Sequence, residues 1–85
     1  MRIYMQTKYS QEQPLRFYHL HLQPDLLGGW MLIRETGLQG GSGKITREYF
    51  EQREAAEEKM IQRLDYQLSR GYQIVFREGT PRAAD

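Results

Sequence analysis

The chain has 85 residues, with twelve Lys or Arg against eleven Asp or Glu and no cysteine. That length allows one domain, which buries only about 60% of the surface its unfolded form exposes and leaves no room for a catalytic domain beside a substrate domain. The absence of cysteine excludes disulfides and thiolate metal sites, and a formal net charge of +1 excludes a polycation.

The first residues, MRIYMQTKYS, hold no apolar run long enough for a signal peptide, and no stretch approaches the roughly 20 apolar residues that span a bilayer. The expected setting is the cytoplasm, with no membrane partner. Residues 2–8, RIYMQTK, alternate, with Ile3, Met5 and Thr7 on one side and Tyr4 and Gln6 on the other. That is a strand pattern, and the polar SQEQP that follows is a loop. LRFYHLHL (residues 15–22) alternates again, with Tyr18, Leu20 and Leu22 opposite Phe17, His19 and His21. QPDLLGG makes a connection. WMLIRE (30–35) is nearly continuous apolar sequence and predicts a central strand, with Trp30 in the core.

After a glycine-rich stretch, KITREYF (44–50) predicts a fourth strand. The period then changes. From about Gln52 to Arg70, Ala56, Met60, Leu64 and Leu68 fall on one helical stripe with Ile61 beside them. Gly71 stands where a helix needs a left-handed residue to stop. YQIVF (72–76) predicts a last short strand whose Tyr72, Ile74 and Phe76 pack inward. The expected architecture is α+β: an antiparallel sheet of four to five strands with one long amphipathic helix on one face. The domain is expected over residues 1–77, with 78–85 a flexible tail.

RETGLQGGSGK (34–44) raises the question of a phosphate loop. A P-loop needs G-x-x-x-x-G-K-[ST] leading into a helix. Here Leu38 stands where the first glycine belongs, Ile45 follows Lys44, and a strand follows instead of a helix. All three requirements fail. The stretch reads as a hairpin turn in which Gly37, Gly40, Gly41 and Gly43 supply positive φ.

Charge is spread unevenly. Residues 1–47 carry six basic and three acidic groups, and residues 48–85 carry six basic and eight acidic groups. The basic half holds a candidate anion patch of Arg16, Arg34, Lys44 and Arg47, with the amides of Gly37, Gly40 and Gly41 as further donors. Against it stands the plain reading that Arg34 and Arg47 pair with Glu35, Glu48 or Asp25 on a solvated sheet. His19 and His21 form H-x-H on one strand face, but spacing marks no third ligand, and no metal site or cofactor is expected. No nucleophile–base pair stands out, so no catalytic residue is assigned and a non-enzymatic binding module is expected.

The order of segments, RFYHLHLQPDLLGGWMLIRETG, a glycine turn, KITREYF, a helix and a closing GY, resembles the WGR domain. That family occurs in poly(ADP-ribose) polymerases and as stand-alone bacterial proteins. The resemblance covers about Arg2 to Phe76. It places the family's Trp-Gly-Arg triplet at Thr36, Gly37 and Leu38, where only the glycine is kept. A lysine usual four residues before the closing glycine appears as Gln67. The resemblance implies DNA contact near strand breaks, the Trp offering an apolar face and the Arg a forked donor. Replacing a stacking partner with Thr36 forgoes about 1–3 kcal/mol. Leu38 brings no charge. Two functions follow: weak, sequence-independent nucleic-acid binding through the basic patch, or a protein-interaction or self-association module that uses the altered tip with its apolar Leu38.

Overall fold

The structure is a computed structural model that describes residues 1–79. Its elements are β1 (Arg2–Gln6), β2 (Arg16–Pro24), β3 (Trp30–Leu38), β4 (Gly43–Phe50), α1 (Arg53–Ser69) and β5 (Gln73–Glu78). All five strands form one antiparallel sheet in the order β4-β3-β2-β1-β5. The fold is α+β. The connection from β4 to β5 must span the sheet from edge to edge, and α1 makes that crossing while packing on β2, β3 and β4.

Alternation decides which side chains meet the helix. Ile3 and Met5 of β1, Tyr18, Leu20 and Leu22 of β2, and Leu32 of β3 share one face with Ala56, Met60 and Leu64 of α1, and all nine are buried. Full burial of one such aliphatic side chain is worth about 1.5–3 kcal/mol, so each carries a large share of a small core.

The helix stripe is rotated from the expected one. Gln67 is buried, while Leu68 is 40% exposed. Tertiary contacts set this choice: the last turn faces the rim of the sheet, where the core has ended. Gly71 has φ +97°, Tyr72 N–H donates to Gln67 O at 3.0 Å and Gly71 N–H to Leu68 O at 3.1 Å, which together form a Schellman stop. The closure sends Tyr72 back against Tyr18, with ring centroids 6.1 Å apart.

Three other expectations change. Ile74 and Phe76 are 38% and 48% exposed instead of packed inward, because β5 lies outside the strands α1 covers and its pairing shifts register at Tyr4/Met5. Trp30 is half-buried, at the end of the core, with the Arg53 guanidinium 4.9 Å from its ring centroid. In the glycine turn only Gly40 has positive φ, at 82°. It fits the third position of a type II turn closed by Gly41 N–H to Leu38 O at 2.9 Å. Gly37 and Gly43 are small for a different reason. A Cβ on either would stand 3.1–3.2 Å from the Phe17 ring, which lies over both.

β5 runs through Glu78, so the expected boundary after residue 77 falls inside a strand. The rest of the expected tail, 80–85, lies outside the described residues. No helix among the described residues is long and apolar enough to cross a membrane.

Candidate nucleic-acid interface

Sheet register sorts the basic residues by face. Arg34 pairs with Leu20, Arg16 with Leu38, and Lys44 with Thr36, so all three share the helix-bearing face. Arg47 pairs with Ile33 and points from the opposite face. The structure therefore brings together three of the four cations marked in the sequence and sets the fourth apart.

The three lie where α1 runs out over the sheet. Two adjoining depressions open there, of about 240 and 400 Å³, both bordered by Tyr18 and Gln67. The first is lined by Arg34, Lys59, Arg63 and Tyr66, and the second by Arg16, Thr36, Arg70 and Tyr72. Neither lining contains an acidic residue. Lys44 stands beside the second depression, across the ladder from Thr36.

Helix α1 thus contributes as much as the sheet. Lys59, Arg63, Tyr66 and Arg70 recur at steps of four, three and four, a stripe beside the apolar one. That spacing was visible in the sequence. The ion pairs among the described residues join Arg63 with Glu48 of β4, and Arg53 with Glu57 at 2.7 Å. Arg16, Arg34, Lys44 and Arg47 are in neither pair. Glu48 therefore offsets Arg63 but leaves Arg34 open to a ligand.

Three of the four positions marked by the resemblance converge. Thr36 and Gly37 line the second depression together with Gln67, the position of the family's lysine. Gln67 is 7% exposed, and its Oε1 has no hydrogen-bond partner. Arg70 caps the negative end of the α1 dipole, and its guanidinium sits 5.6 Å from the Tyr66 ring centroid. Leu38, 40% exposed, ends β3 at the rim. The turn beyond it projects into solvent, but its Gly41 N–H is spent on Leu38 O and its Gln39 N–H on Leu15 O. Gly37 faces Gly43 within the ladder. Side-chain cations gather at this end of the molecule, while the turn amides of Gln39 and Gly41 are already bonded.

His19 and His21 lie on the opposite face with nearly parallel rings, centroids 6.4 Å apart. Burial, then the charge of Arg2, lowers the pKa of each below the ordinary 6.5. No group of three candidate metal ligands occurs among the described residues.

The family model of the WGR domain matches residues 1–78. No curated protein and no solved structure matches the chain. The match spans every strand and the helix, including the degenerate triplet beside the groove, and the chain belongs to the WGR domain family.

Proposed function

We propose that this WGR domain is a non-enzymatic module that binds DNA, without sequence preference, through the groove between the C-terminal half of α1 and the β2–β3 rim. One observation carries the reading: Arg16, Arg34, Lys59 and Arg70 line adjoining depressions that contain no acidic residue. Such cations hold phosphates and fix position without reading bases. The groove also holds the chemistry that Thr36 and Leu38 lack. Tyr66, 60% exposed, offers an aromatic face, and Arg70 and Arg16 offer forked donors within the same depression as Thr36. The groove is shallow, so affinity rests on charge.

The test is a fluorescence titration of labelled duplex DNA over a range of salt. Each phosphate contact contributes about −0.9 to the slope of log K against log salt, so three to four contacts give a slope near −3. Arg34→Ala and Arg70→Ala each flatten that slope by about one contact. Arg77→Ala, an equal loss of charge on β5 away from the groove, leaves it unchanged. A titration that stays flat at low salt, or equal losses in all three variants, rejects the reading.

A further inference from the structure

Among the described residues no helix or strand covers the sheet face turned away from α1, where only the Gln39 side chain reaches in to accept from Tyr4 Oη and Gln6 Nε2, and polar and apolar groups alternate across it. Register lays its side chains in transverse rows. From β5 to β4 one row reads Glu78, Arg2, His21, Ile33, Arg47. The next reads Phe76, Tyr4, His19, Glu35, Ile45. Ile45 and Phe76 are each 48% exposed. The rings of Tyr4 and Phe17 are nearly parallel, with centroids 6.0 Å apart. In these rows Arg2 and Arg47 balance Glu35 and Glu78, so the face offers a phosphate chain little net attraction.

The arrangement of those charges points to one occupant. β2 is the middle strand of five. A two-fold axis along β2, in the plane of contact with a second copy, lays β4 over β5, β3 over β1, and β2 over itself. Arg47 then meets the second copy's Glu78, Ile45 meets its Phe76, and Tyr4 meets its Glu35. His19, His21 and Phe17 meet their own counterparts. These oppositions are charge on charge, apolar on apolar, hydroxyl on carboxylate or ring on ring, and Arg2, which falls over the second copy's Ile33, is the exception in the two rows. Two sheets packed this way cross at about 30°, an offset that the long Arg47 and Glu78 side chains span.

The area is adequate. Five strands about 4.8 Å apart, each with about six residues rising 3.3 Å, give a footprint of roughly 480 Å² per copy. Doubled, and raised further by side-chain relief, this reaches the ~1,200 Å² at which specific interfaces begin.

We infer that the open sheet face is a self-complementary interface, joining two copies of this chain face to face about a two-fold axis along β2. It lies opposite the groove's cations and touches the groove only at Phe17, which borders the second depression, and it holds whether or not the groove binds DNA. Leu38, on the helix-bearing face, takes no part.

Sedimentation equilibrium of the full chain, from low micromolar to near-millimolar concentration at neutral pH, tests it. A monomer–dimer equilibrium is expected. Arg47→Glu sets like charges against Glu78 at two symmetric places and weakens the dimer about tenfold or more, as does Glu78→Arg. The two substitutions together restore it, an outcome that misfolding cannot produce. Acidification also loosens the dimer, because protonated His19 and His21 meet like charges across the axis, with Arg2 and the N-terminal ammonium adding to the repulsion and Glu35 and Glu78 opposing it. A monomer at every concentration overturns the proposal, as do single swaps without effect or a double swap that fails to restore. An oligothymidine that binds the monomer and is lost in Arg47→Glu overturns it too, giving the face to a single strand.

Discussion

Leu32 and Ile33 are neighbours in β3 and occupy different surroundings. Leu32 is 1% exposed beneath α1, whereas Ile33 is half-buried on the face that α1 leaves bare. The helix-bearing face concentrates the core at its centre and cations at its rim. The bare face mixes rings, aliphatic groups and balanced charge with no core at all. Stability and the proposed DNA contact therefore belong to one side, and the proposed self-contact to the other. Variants can separate them.

The largest expected effect is on the covered side. Leu32→Ala removes a buried side chain from a core of nine residues and costs about 2–5 kcal/mol in urea denaturation. Ile33→Ala, measured in dilute solution, costs about 1 kcal/mol or less, since its site is already open to water. Equal costs would mean that something covers the bare face even in dilute solution.

The next effect comes from the helix stop. Gly71 has φ +97° with nothing within 4 Å of the place a Cβ would take. Gly71→Ala therefore carries backbone strain alone, about 1–2 kcal/mol. The same change loosens the Tyr72–Tyr18 contact and so the wall of the groove. Stability and DNA affinity fall together in this variant, whereas the dimer constant holds. A loss of dimer in Gly71→Ala would break the separation of faces.

The sequence made some of this division legible. Period-two alternation placed Ile3, Met5, Tyr18, Leu20 and Leu22 on one side because strand geometry leaves no other choice, and Gly71 announced the helix end for the same kind of local reason. Long-range facts escaped. Nothing local says that β5 pairs with β1 beyond the reach of the helix, so Ile74 and Phe76 were expected inside. The parity that puts Arg47 opposite Arg34 depends on the length of the turn between β3 and β4, which fixes the register. The helix stripe Lys59–Arg63–Tyr66–Arg70 was visible as spacing, but only packing shows that it faces Arg16 and Thr36 across a groove. Gln67 against Leu68 was decided by where the core ends, which a helical wheel does not contain.

The smallest expected effect tests whether the bare face senses pH before any partner arrives. Burial, then Arg2, lowers the pKa of both His19 and His21 below 6.5. The unfolded chain therefore binds more protons than the folded one below that value. Folding stability is full above pH 6.5 and declines as the pH falls through the lowered values, before carboxylates begin to titrate. Urea midpoints taken from pH 7.5 down to about 5.5 should drift downward, and His19→Gln with His21→Gln should flatten the drift. Dimer dissociation has the same sign, so concentration must separate the two. The part of the drift that persists on dilution belongs to the single sheet face, where Arg2 and burial act within one chain. The part that grows with protein concentration belongs to imidazoles meeting across the axis. A drift that is wholly insensitive to concentration would leave the histidines as neighbours of Arg2 and nothing more.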